Sequence, residues 1–155
     1  MLSISSIRDM TDERGRHIAA PLDIVWQLHT DIGAWPTWNG DVVSASLEGP
    51  LAPRSIFSVT TSAATWRARI YACIEGQEIF WGNVADEDAR WLQHWIFVET
   101  IHGVQVTATA TGMGGELAVA VDGMAGPHEC VDAWLDQLQA AAVALASSAI
   151  DSAAP

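Results

Sequence analysis

At 155 residues, half of them hydrophobic and 17% charged, the chain has the composition of one globular domain. Nineteen acidic residues against seven arginines and no lysine give a formal net charge of −12, which opposes phosphate backbones and anionic lipid surfaces and so argues against nucleic-acid and membrane partners. Cys73 and Cys130 match neither a disulfide framework nor a metal pair, and no apolar run approaches a membrane span, so a cytoplasmic setting is expected.

Residues 1–11 read as a loose arm, with no basic start and long apolar run of a signal peptide. Residues 13–19 read as a strand. Pro21 suits the start of a helix, where its missing N–H costs nothing. Ile24, Val25, Leu28 and Ile32 then repeat at helical spacing, with Trp26 off the centre of the stripe. Gly33 and Pro36 end regular helix, and a further short turn fits around 34–37. His29, near the end of this helix, reads as a surface or capping group.

Strand candidates follow, separated by turn signals: 42–47, closed by Gly49 and Pro50, then 55–61, 65–75 and 78–83. In 65–75, Trp66, Ala68, Ile70, Ala72 and Ile74 fall on one face, expected to be inside. Arg67, Arg69, Tyr71, Cys73 and Glu75 fall on the other, expected in solvent. In 78–83, Ile79 and Trp81 share a face. Residues 86–88 form a charged turn.

The strand at 90–99 is apolar on both faces. Trp91, Gln93, Trp95 and Phe97 make one, and Leu92, His94, Ile96 and Val98 the other. Period alone leaves the inner face open. The outer face needs a cover, and a homodimer through this strand is one way to supply it. In 104–111, Ala108 and Ala110 leave room in front of them. Residues 112–126, rich in glycine, read as a lid or a short helix. A final helix opens at Pro127 with an apolar stripe of Val131, Leu135, Leu138, Ala142 and Leu145, widened by Trp134. Residues 147–155 read as a frayed tail. The whole is a single domain, 1–155.

Tryptophan dominates the aromatic content: eight, against one Tyr and three Phe. Each indole carries about 150–250 Å² of surface. Two readings stand. Some of these rings line a space, or together they build a bulky, solid core.

At this point the residues resemble the polyketide cyclase/dehydrase-like branch of the START-related (SRPBCC, helix-grip) superfamily. The resemblance rests on IAAPLDIVW at 18–26, DIGAWPTWN at 31–39, LEGPLA at 47–52 running on to Phe57, IFWG at 79–82, the strand 93–97, and the terminal helix around Trp134. It covers about residues 12–146. It implies an α+β helix-grip fold: a seven-stranded curved antiparallel sheet wrapped around a long C-terminal helix, with two short helices between the first two strands. It further implies a hydrophobic cavity and chemistry without a cofactor. Two departures stand out. Arg54 and Ser55 occupy a place where relatives often have glycine. Gln93 takes the register of a relative's strand histidine while His94 is displaced by one, and a one-residue shift changes the face.

No nucleophile elbow, phosphate loop or metal-ligand spacing is present, so no metal is expected. His94 is the first candidate for moving a proton, with a structural or interface histidine as its competing reading. Gln93 and Asn39 are candidates to orient a carbonyl. Asn39 equally fits a turn bond to its own backbone. Trp35, Trp38, Phe57, Trp66, Trp81, Trp95 and Trp134 are candidates to bind a flat hydrophobic ligand, or simply to pack. No carboxylate reads as buried. With these candidates, the resemblance implies a cofactor-free cyclase/dehydratase acting on an apolar polyketide-like molecule. A non-catalytic carrier of a hydrophobic small molecule is the alternative, and a protein-interaction role the third.

Overall fold

The computed structural model describes residues 10–62, 65–84, 90–113 and 127–153. Of the loose arm expected over residues 1–11, residues 10 and 11 instead belong to a strand, and of the lid or short helix expected over 112–126, residues 112 and 113 do; the remainder of both, and the charged turn at 86–88, lie outside the described residues.

Seven strands form one antiparallel sheet: β1 (Met10–Ile18), β2 (Val42–Glu48), β3 (Ile56–Thr61), β4 (Thr65–Ile74), β5 (Glu78–Asn83), β6 (Arg90–Thr100) and β7 (Gly103–Met113). Their order across the sheet is β1-β7-β6-β5-β4-β3-β2. All neighbours from β2 to β7 are hairpin-connected. The link between β1 and β2 instead crosses the full width of the sheet. Helix α1 (Leu22–Thr30) and a 3-10 helix (Ile32–Thr37) occupy that link. The long helix α2 (Pro127–Ala153) packs against β1, β7 and α1. One amphipathic helix on one curved sheet buries both apolar faces, and the expected helix-grip architecture is what the chain adopts.

Polar ties fix α2 at two sides. Arg16 on β1 donates to Gln139 Oε1 at 2.8 Å and to Asp136 Oδ1 at 2.7 Å. Gln137 receives the Gly40 N–H at 2.7 Å and donates to Asn39 Oδ1 at 3.1 Å. The buried face of α2 is Val131, Leu135, Leu138 and Ala142. Leu145, expected to extend that stripe, is instead exposed. The helix also continues through Ser147 to Ala153, where a frayed tail was expected.

Two strand faces differ from simple alternation. In β4 the pairing with β5 steps from Ile70–Trp81 to Ala72–Phe80, leaving Tyr71 as an extra residue. Such a bulge reverses the face of everything beyond it. Trp66, Ala68 and Ile70 face the core as expected. Beyond Tyr71 the sides exchange, so Ile74 turns outward and the half-buried Cys73 packs against the core. In β6 the open question resolves: Trp91, Gln93, Trp95 and Phe97 are buried, while His94, Ile96 and Val98 lie on the convex face.

Arg54 has φ +81°, the one described non-glycine residue with a positive φ. Its N–H donates to Ile70 O at 2.7 Å, which holds the turn before β3 against β4. A left-handed backbone favours glycine, whose lack of Cβ removes the clash.

Candidate functional site

Period two on β6 sets the chemistry of the concave face. With Trp95 inside, Gln93 is inside and His94 is outside. His94 Nε2 lies 3.0 Å from Glu78 Oε1 on the convex face, with about two-fifths of its side chain exposed. The proton-moving role expected of His94 therefore has no interior position from which to act. Gln93 is 8% exposed, and its Oε1 accepts indole N–H bonds from Trp81 at 2.9 Å and Trp95 at 3.2 Å. Its carbonyl is thus already occupied by the protein.

Asn39 is also buried. Its Oδ1 accepts from the backbone N–H of Asp41 at 2.9 Å and from Gln137 at 3.1 Å. The first is the local turn bond its sequence position predicts, and the second ties the loop to α2. Asn39 holds structure together here.

The residue that sequence reasoning missed is His29. Helix α1 buries Val25, Trp26, His29 and Thr30, a face rotated from the stripe of Ile24, Val25, Leu28 and Ile32. His29 has no exposed surface. Its ring sits 4.3 Å from Trp95, 5.1 Å from Trp81 in a near-parallel stack, 5.4 Å from Phe97 and 5.9 Å from Trp134, centroid to centroid. Trp35 closes the group at 6.5 Å and donates its indole N–H to the His29 carbonyl at 3.1 Å.

These rings fix the state of the imidazole. Burial pushes its pKa from 6.5 down to about 3, because the charged form loses its hydration. Trp134 donates its indole N–H to His29 Nδ1 at 3.1 Å. A neutral ring that accepts at Nδ1 carries its proton at Nε2. That Nε2 is buried and has no hydrogen-bond partner. The sequence carried one signal for this, the placement of His29 one turn after Val25 on an amphipathic helix.

The expected ligand-binding tryptophans converge, but mostly on each other. Trp35 meets Trp134 at 4.6 Å, Phe57 at 5.6 Å and Trp81 at 5.7 Å, all edge to face. Phe57 meets Trp81 at 5.1 Å. Pairs of this geometry contribute about 0.5–1.5 kcal/mol each beyond the area they bury. The second of the two readings, a bulky and closely packed core, holds for this group. Trp38 lies edge-on to Trp134 at 5.2 Å, and Trp66 edge-on to Trp91 at 5.2 Å. The indole nitrogens of Trp38 and Trp66 are buried without a partner.

Open space lies on the other flank of α1. A groove of about 1010 Å³ runs between α1 and the β4–β5 turn, bordered by Leu22, Trp26, Thr30, Leu51, Cys73 and Glu75 among others. The bulge at Tyr71 is what turns Cys73 and Glu75 toward it. Burial, and Glu75 beside it, push the Cys73 thiol above its ordinary pKa, so it stays protonated and unreactive at neutral pH. Trp26 borders this groove and meets Phe97 edge to face at 5.1 Å. Two rings thus stand between the groove and His29. Among the described residues, no cluster of three or more His, Cys, Asp or Glu could hold a metal ion, and no helix is long and apolar enough to cross a membrane.

Solved structures share this architecture. The di-domain ARO/CYC protein StfQ of the steffimycin biosynthetic pathway matches 92% of this chain at TM-score 0.71 and 18% identity. The chain spans about half of that protein, 53% of its length. Norcoclaurine synthase from Thalictrum flavum, solved with dopamine and hydroxybenzaldehyde, matches at 0.69 and 11% identity, covering 92% of this chain and 91% of its own. Ara h 8.0201 matches at 0.68 and 12% identity, over 88% and 99% of the two chains. All three have the helix-grip fold, and at these identities the likeness is one of fold. No protein-family model matches the sequence, and no curated protein is similar to it in sequence.

Proposed function

We propose that this helix-grip chain binds an apolar, ring-bearing small molecule and holds it without transforming it. One observation carries the choice of holding over turnover: the buried polar side chains among the described residues are His29, Thr30, Asn39 and Gln93, and of these His29 alone can titrate. A cyclase or dehydratase needs at least one group to give a proton and one to take it. His29, kept neutral with a pKa of about 3, is a weak base, and no second titratable group among the described residues is buried beside it. The groove beside Trp26, bordered also by Leu22 and Leu51, offers such a guest apolar surface.

The second reading is a cofactor-free cyclase/dehydratase acting on a polyketide-like molecule. The likeness in fold to an ARO/CYC protein favours it. Positioning alone would then supply most of the catalysis, up to about 7–11 kcal/mol in the best intramolecular cases. Fold likeness by itself does not choose between the two.

Titration of tryptophan emission with a panel of apolar ring compounds, followed by chromatographic analysis of each compound, separates them. Saturable quenching with every compound recovered unchanged supports the holding role. A new cyclised or dehydrated product overturns it in favour of the enzyme. The convex face of β6, where Ile96 and Val98 are exposed, supports pairing with a second copy of the chain. The mass in solution by light scattering tests that pairing.

A further inference from the structure

We propose that the groove beside α1 holds a ring compound bearing a protonated amine, with the ring on its apolar surface and the ammonium group among the carboxylates that border it. This deepens the binding role proposed above and rests on it.

The groove, about 1010 Å³, is at the upper end of the size range of small-molecule sites. Leu22, Trp26 and Leu51 give it apolar surface. Its charge has one sign. Asp23, Asp31, Glu75 and Glu99 are four of its twelve lining residues, whereas acidic residues are 19 of 155 in the chain. No arginine or histidine lines it, and the chain has no lysine. The four come from the first turn of α1, the residue after its end, the β4–β5 turn and the end of β6, so the fold gathers them from distant parts of the chain. All four are exposed. None is in an ion pair among the described residues, where Arg14, Arg16 and His94 take Asp132, Asp136 and Glu78 instead. The protein leaves this negative rim unanswered.

The kind of cation follows from the spacing. A bare metal ion needs several ligands converging on one point. No group of three or more His, Cys, Asp or Glu among the described residues does so. The charge is spread around an apolar surface, which suits an organic cation carried on a ring. An anionic ring compound would meet repulsion here, and a neutral one would gain nothing from the rim. Thr30 adds an independent sign. It is 7% exposed, lines the groove, and already gives its hydroxyl proton to the Trp26 carbonyl at 2.8 Å. What its oxygen has left is acceptor capacity, and a primary ammonium brings three N–H donors. An indole such as Trp26 attracts a cation held over its ring.

The test compares three naphthalenes that differ in one small group: 1-naphthylmethylamine, a cation at neutral pH, the neutral 1-naphthylmethanol and the anionic 1-naphthylacetate. Affinities are read by equilibrium dialysis. One exposed carboxylate contributes little, but four of one sign around one cation add, so at about 10 mM salt the amine should bind about tenfold more tightly than the alcohol. The anion should bind more weakly than either. At about 1 M salt, where charges act over only about 3 Å, the preference should fall to about twofold or less. Because a chain of net charge −12 attracts cations everywhere, two double variants locate the effect. Glu75→Gln with Glu99→Gln should cut the preference to about threefold, as expected when two of four charges are removed. Glu13→Gln with Asp41→Asn removes the same charge from exposed positions that do not border the groove, and should leave it at about tenfold. Equal affinity for amine and alcohol in the unaltered protein at low salt overturns the proposal and needs no variant to fold. A preference that survives the groove variant, or that falls equally in both variants, also overturns it, by placing the attraction elsewhere. Failure of all three probes to bind, with no response from any other ring compound, overturns the binding role itself, a result distinct from binding without preference.

Discussion

Trp134 donates its indole N–H to Nδ1 of His29 across 3.1 Å, joining the two helices over 105 residues of chain. That single bond sets the tautomer, and burial sets the charge. Together they make His29 a neutral donor enclosed by rings.

Acid should therefore weaken the fold through this residue. The folded pKa is about 3 and the unfolded value 6.5, so the unfolded chain binds the proton more tightly. The contribution is fully present above pH 6.5 and is lost as pH falls toward 3, reaching roughly 4–5 kcal/mol at the bottom of that window. Urea unfolding at a series of pH values, compared between the unaltered protein and His29→Phe, isolates this slope from that of the carboxylates. The variant should be flatter between pH 6.5 and 4.

Gln93→Leu should be costly for a different reason. It strands two buried indole N–H groups, those of Trp81 and Trp95. An unsatisfied buried donor costs about 1–3 kcal/mol, so a loss on the order of 3 kcal/mol is expected by chemical denaturation. A loss below about 0.5 kcal/mol would mean that the two indoles find other acceptors.

His94→Ala should change little. The side chain lies on the convex face in a half-exposed pair with Glu78. Such pairs contribute about 0–1 kcal/mol. Affinity for a ring ligand, read by tryptophan emission, should stay within about twofold of the unaltered protein.

Arg54→Gly should stabilise the protein. A left-handed backbone costs a residue with a Cβ about 1–2 kcal/mol, and glycine's extra freedom in the unfolded chain returns about 0.5–1 kcal/mol of that. A net gain of up to about 1.5 kcal/mol in denaturant unfolding is expected. A loss would show that the Arg54 side chain makes a stabilising contact of its own.

The strands and helices were legible from local pattern: the shared face of Ile79 and Trp81 in β5, alternation in β7, turn residues between strands, and the stripe on α2; the seven-stranded sheet wrapped around that helix was what the family resemblance implied. Three features were not legible, each because it depends on something outside its own segment. The inner face of β6 rests on which neighbour covers it, and both faces are apolar. The reversal in β4 needs a bulge at Tyr71 that alternation alone does not announce. His29 was read as a surface group because a polar residue on a short helix usually is one. It is buried because α1 is sandwiched between α2 and the sheet, a consequence of the crossover from β1 to β2 that no local window contains.

The most direct test of the account is the protonation of His29 itself, followed by nitrogen–proton correlation NMR of the imidazole from pH 7 to 4.5. The account predicts one protonated nitrogen, Nε2, and one acceptor nitrogen, Nδ1, unchanged across the range, with slow exchange of the Nε2 proton. A ring that gains its second proton near pH 6.5, or that carries its single proton on Nδ1, would contradict it.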